Sequence, residues 1–135
     1  MDMKANENRV PGEGNVTIIL GGKEETLVPS YEAAKAISRT YGGIGRAVDM
    51  ALAVNIEVIK DTIFLGLGYG PNKRPPRGLE EKIWAEGFTD DTGALVDKVV
   101  LFLRVLSAGG RMPKDAIAGG ADGGESGDDE NPRTA

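Results

Sequence analysis

The strongest local signal in the chain is a turn. Val16-Thr17-Ile18-Ile19-Leu20 is rich in branched residues, Gly21-Gly22 follows, and Lys23 to Val28 returns with a polar face. Adjacent glycines accept the positive φ angles of a two-residue hairpin loop without the steric cost of a side chain, so the segment predicts a β-hairpin. A lone hairpin is marginal in water. It must therefore lie on the elements that follow it, or extend a sheet in another chain.

Those elements read as helices. Pro29 closes the strand, Ser30 is placed as an N-cap, and Glu32 suits the positive end of a helix in which Tyr31, Ala34, Ile37 and Tyr41 share a face. Gly42-Gly43 stops it. Ile44, Ala47, Val48, Ala51 and Leu52 then fall at the i, i+3, i+4, i+7, i+8 spacing of an amphipathic second helix. Asn55 is placed to cap a third, with Ile56, Ile59, Ile63 and Leu67 inward, closed by Gly66, Gly68, Gly70 and Pro71. Prolines and cations mixed over residues 70–78 predict a surface loop. A short helix follows, with Glu80 and Glu81 in its first turn, Leu79, Ile83 and Trp84 packing, and Gly87 as its stop. Thr89 or Asp90 is placed to cap the last helix.

That helix carries Leu95, Val99, Phe102, Leu103 and Leu106 on one stripe, with Val96, Val100, Leu101 and Val105 outside it. One buried face does not account for them all. A helix apolar around most of its circumference is either central to a core or partly covered by another subunit. The expectation is a mixture, which marks Leu95, Val99, Phe102, Leu103 and Leu106 as candidate partner-binding residues shared between core and interface.

Composition divides the chain. Residues 1–14 are polar, and from Gly109 onward glycines alternate with acids and no aromatic residue occurs. The predicted organisation is a disordered arm over 1–14, one hairpin-plus-helix domain over 15–110, and a disordered, acidic, glycine-rich tail over 111–135. The fold class is mainly α with a small N-terminal β-hairpin (α+β) and about five helices. The net charge of −5 is uneven: from Lys114 onward, Lys114 and Arg133 against Asp115, Asp122, Glu125, Asp128, Asp129 and Glu130 leave −4, and the rest of the chain carries −1. The body lacks the basic excess that drives nucleic-acid binding.

Other classes fall to composition too. With 0 cysteines and 0 histidines, disulfides, thiolate metal sites, cysteine nucleophiles and the commonest general base are all excluded. No catalytic residue, cofactor or metal is predicted. The longest apolar region, Ala94 to Ala108, is broken by Asp97, Lys98 and Arg104 and is shorter than a membrane span, and no apolar stretch behind Met1 predicts a secretory signal.

Three motifs invite chemistry and fit ordinary structure better. Gly66-Leu67-Gly68-Tyr69-Gly70 ends a helical pattern and precedes prolines, whereas a phosphate loop opens a helix. The two helices within Ala33 to Ala53 follow the outline of a helix-turn-helix, yet the second exposes only Arg46 and Asp49 as charged groups, too few for a duplex. Asp90-Asp91 stands where a cap belongs, and the tail acids lack the spacing of a calcium loop.

The hairpin Val16-Thr17-Ile18-Ile19-Leu20-Gly21-Gly22-Lys23, the exit Leu27-Val28-Pro29-Ser30 into an alanine-rich helix, the glycine-containing turn at 66–70, the short helix ending at Glu86-Gly87-Phe88 and the apolar helix to Leu106 together resemble the tail assembly chaperones of siphophages and alphaproteobacterial gene transfer agents. Members of that group are sometimes labelled tail tube proteins. The resemblance covers about residues 15–110; Lys73-Arg74-Pro75-Pro76-Arg77 is longer and more basic than the group's usual loop. It implies a non-enzymatic protein of the bacterial host cytoplasm that binds tape measure protein, tail tube protein or both, and is absent from the finished particle. Self-association is the other way to cover the last helix. The rival readings are a structural tail (tube) component, joined through the hairpin edge, and a small helix-turn-helix DNA-binding regulator.

Overall fold

Strand β1 (Val16–Leu20) pairs antiparallel with β2 (Lys23–Leu27) in the computed structural model, which describes residues 13–89 and 94–113. Leu20 stands opposite Lys23, and the two loop residues, Gly21 (φ 61°) and Gly22 (φ 80°), take the left-handed angles that the glycine pair predicts. Val16, Ile18 and Leu20 point into the core and Thr17 and Ile19 point out, while β2 buries only Leu27.

Five helices follow, so the fold is mainly α with a small N-terminal hairpin: α1 (Tyr31–Tyr41), α2 (Ile44–Leu52), α3 (Ile56–Gly66), α4 (Leu79–Glu86) and α5 (Leu95–Ser107). Local chemistry sets most boundaries. Ser30 Oγ accepts from the amide of Ala33 at 3.0 Å, Asn55 Oδ1 accepts from Val58 at 3.2 Å, and α1 ends at Gly42 in the left-handed conformation. The last helix departs from expectation. Its N-cap is Ala94, with no side-chain cap, in place of Thr89 or Asp90; the Asp90-Asp91 pair lies outside the described residues.

The hairpin does lie on its own helices. β1 packs on α5 and α4, and β2 on α3, while α5 also lies across α1, α2 and α3. This central position buries Val99, Phe102, Leu103 and Val105 completely, and Leu95, Val96 and Leu106 nearly so.

Four inward faces differ from the periodic reading; in α2 the buried residues are Ala47 and Ala51, while Leu52 at the end of the expected stripe is 59% exposed. In α1 the buried residues are Ala33 and Ile37, while Tyr31 is 71% exposed; it lies roughly 120° around the helix from Ile37. In α3 the buried residues are Val58, Ile59, Thr62, Ile63 and Gly66, and Ile56 is 50% exposed. That face is turned from the expected isoleucine stripe because the small residues Thr62 and Gly66 let neighbouring elements come close. In α4 only Ile83 is buried and Trp84 is 67% exposed.

The ends of the domain also extend past the expected limits. Gly14 is buried at φ 83°, so tightly placed that a Cβ there would collide with the Gly110 carbonyl oxygen, and Met112 packs on the core. Glu13-Gly14 and Met112 thus belong to the fold; the rest of the predicted arm and tail, 1–12 and 114–135, lies outside the described residues. Among the described residues no helix is long and apolar enough to cross a membrane.

Candidate functional site

The five residues singled out as partner-binding, Leu95, Val99, Phe102, Leu103 and Leu106, are 6% exposed or less. The chain's own helices and hairpin cover them, so they form the centre of the core, with only a small edge of Leu95 and Leu106 accessible in this conformation. Val96 and Val105, outside that stripe, are covered too, and Val100 and Leu101 are half-buried. The exposed apolar side chains stand elsewhere.

Ile19, Val28 and Tyr31 are scattered over the hairpin and the start of α1, and three others stand together at the corner between α2 and α3. Leu52 is 59% exposed, Val54 36% and Ile56 50%. Backbone bonds shape the corner: Val54 donates to the Ala51 carbonyl and Asn55 to the Met50 carbonyl, both at 2.9 Å. This is the paired-bond ending of a helix whose left-handed position is usually glycine. Here that position is Val54, at φ 59°, the one described residue other than glycine with a positive φ. For a β-branched side chain this conformation is an outlier, costing about 1–2 kcal/mol.

Ile56 leads from the corner into a groove of about 290 Å³ between the start of α3 and α4, where Trp84 and Phe88 join it. The rim is acidic, carrying Glu57, Glu80 and Glu81. The cation that lines it, Lys60, is held by three carboxylates: Nζ lies 2.8 Å from Glu57, 3.2 Å from Glu80 and 3.5 Å from Asp61. The hydrogen bond to Glu57, outweighing burial, raises Lys60 well above its ordinary value. Its ammonium group ties the three carboxylates together.

Asp61 accepts a hydrogen bond from the Tyr41 hydroxyl through its other oxygen, at 2.5 Å. Burial first, and that bond second, push the Tyr41 phenol well above its ordinary value. The chain Tyr41, Asp61, Lys60, Glu80 thus links α1, α3 and α4 along one side of the groove. A concave apolar floor with an acidic rim is suited to receive large apolar side chains flanked by cations.

Periodicity alone puts Trp84 in the core and Ile56 on an inward stripe. A wheel drawn at roughly 100° per residue sets Trp84 between Glu80 and Glu81 and well away from Leu79, which is the signal that finds it. Nothing in the local sequence announces the left-handed Val54. No family model, curated protein or solved structure matches the chain.

Proposed function

We propose that the chain is a non-enzymatic assembly chaperone that binds tape measure protein, tail tube protein or both during phage-like tail morphogenesis. The observation that supports it most is the apolar surface running from Leu52 and Val54 through Ile56 to Trp84, presented on a corner whose backbone is strained. Backbone strain of this kind collects at binding and switching sites, where the conformation is part of the function. A client helix would lay its large apolar side chains against Ile56 and Trp84 and its cations against Glu57, Glu80 and Glu81. On this reading the protein acts in the cytoplasm of the bacterial host and leaves the particle before it is finished.

The chain's 1 tryptophan is Trp84, so its fluorescence reports on the site alone. Titration with an amphipathic, cation-flanked segment of tape measure protein should shift the emission to the blue with a saturable profile. Unchanged emission at saturating client would falsify the assignment of the site.

A structural tail component is the second reading. It is favoured by the hairpin, whose sheet contains two strands only among the described residues and so leaves outer edges open to a further strand. Mass spectrometry of purified particles separates the two, since a stoichiometric copy number belongs to a structural part and its absence to a chaperone.

A further inference from the structure

A second groove, of about 350 Å³, lies between the exposed side of α1 and the turn that follows α3, and it shares no residue with the Trp84 groove. Its floor includes Ala33, Ala36, Gly68 and Gly70, and three exposed cations stand around it: Lys35, Arg39 and Lys73, against one acid, Glu32. Among the described residues none of the three cations has a carboxylate partner. Lys35 Nζ sits 5.3 Å over the Tyr31 ring and Lys73 Nζ 5.5 Å over the Tyr69 ring, in contrast to Lys60 with its three carboxylates. Arg74 and Arg77 extend the positive surface along the loop, also exposed.

The complementary charge is carried by the same chain. Residues 114–135 include Asp122, Glu125, Asp128, Asp129 and Glu130, spaced by glycines that add no side chains to a narrow cleft. A run of contacts leads from the root of that segment toward the groove: Gly110 meets Gly14, Val16 pairs with Leu27, Val28 bonds to Gly66, and Gly68 to Lys73 form one wall of the groove. From Pro113, the 9 residues to Asp122 can span at most about 32 Å and the 17 to Glu130 at most about 61 Å, enough to cross a domain about 30 Å wide.

We propose that the acidic stretch 122–130 docks in cis in this groove, setting its carboxylates on Lys35, Arg39 and Lys73. Exposed ion pairs are individually weak. A tether supplies an effective concentration of about a millimolar, so contacts too weak to bind a free peptide are enough to keep the groove occupied much of the time. This docking is independent of the chaperone reading, because it concerns the isolated chain and a different face.

The chain has 0 cysteines, so Ser126→Cys provides a single attachment point for a nitroxide on the full-length protein. At low salt the backbone amide signals of Lys35, Arg39 and Lys73 should lose more than half their intensity relative to the reduced label. They should recover in molar salt, where the screening length falls to about 3 Å. Combining Lys35→Glu, Arg39→Glu and Lys73→Glu, all at exposed positions, should abolish the broadening while the spectrum of the core stays native. Broadening that is absent, spread evenly over the surface, or insensitive to salt overturns the proposal. So does broadening of an isotope-labelled copy by a separate spin-labelled one, which places the contact between chains, and so does a groove that ignores the tail yet binds a polyglutamate peptide or an oligonucleotide.

Discussion

The amide of Val28 donates to the carbonyl of Gly66 across 2.8 Å, joining the exit of β2 to the last turn of α3. The bond exists because Gly66 has no side chain. A Cβ there would lie 2.9 Å from the Leu27 Cβ, closer than real contacts come, and 3.1 Å from Phe102 Cε2, tighter than most. Hairpin, α3 and α5 therefore converge on one glycine, and this convergence converts a marginal hairpin into part of a core.

Gly66→Ala tests that convergence. Alanine favours the helix locally by about 1 kcal/mol, yet the overpacking costs about 1–3 kcal/mol, so the net effect is a loss of stability. Thermal unfolding should move down by several degrees, at about 4–8 °C per kcal/mol for a domain of this size. A rise in the midpoint would mean that β2 and α5 yield easily and that the close approach contributes nothing.

Thr62 lies one turn earlier on the same face, fully buried, and its hydroxyl has no hydrogen-bond partner among the described residues. Burying an unpaired hydroxyl is unfavourable, and valine has nearly the same shape. Thr62→Val should stabilise the protein by about 1 kcal/mol, read as a higher urea midpoint at unchanged slope. A lower midpoint would show that the hydroxyl has a partner, a bound water included.

How much of this was legible in the sequence depends on the range of the interaction. Ser30, Asn55, Gly42 and the Gly21-Gly22 pair act within three or four residues, and each does in the structure what its chemistry predicts. The inward face of α3 was not legible, because Gly66 is fitted to Leu27 of β2 and Phe102 of α5, elements far away along the chain. For the same reason α5 looked too apolar to bury, when β1, α1, α2 and α3 together cover it. The candidate site was half readable: Glu80, Glu81 and Trp84 share a helix side by spacing alone, whereas the corner at Val54 emerges only from its backbone bonds.

The part-buried chain of Tyr41, Asp61 and Lys60 predicts a pH dependence. Both Tyr41 and Lys60 are raised above their ordinary values of 10.0 and 10.5, so the folded state holds protons that the unfolded state releases first. Stability from these groups is complete below about pH 10 and declines as the pH rises beyond it. Urea midpoints at neutral pH and at about pH 11 should show the drop, and Tyr41→Phe should weaken the protein by about 1 kcal/mol at neutral pH while flattening the alkaline decline. Of the 3 tyrosines, one should form phenolate only on unfolding, visible as an absorbance step that coincides with loss of helix.

Val54 and Trp84 separate stability from binding. If the left-handed valine is retained for what it presents, Val54→Gly should relieve its strain and stabilise the fold by about 0.5–1 kcal/mol net, glycine being the residue this helix ending ordinarily takes. It should at the same time weaken the client, because the corner loses an apolar contact. Trp84→Ala removes the exposed anchor of the groove: stability should change by no more than about 0.5 kcal/mol, while client affinity falls by tenfold or more, the size expected of an aromatic anchor. Calorimetry of the client segment against the wild type and both variants, beside their thermal unfolding, checks the two directions together. Equal affinity in all three proteins would leave the corner without a function and move the search for the client surface to the hairpin edge.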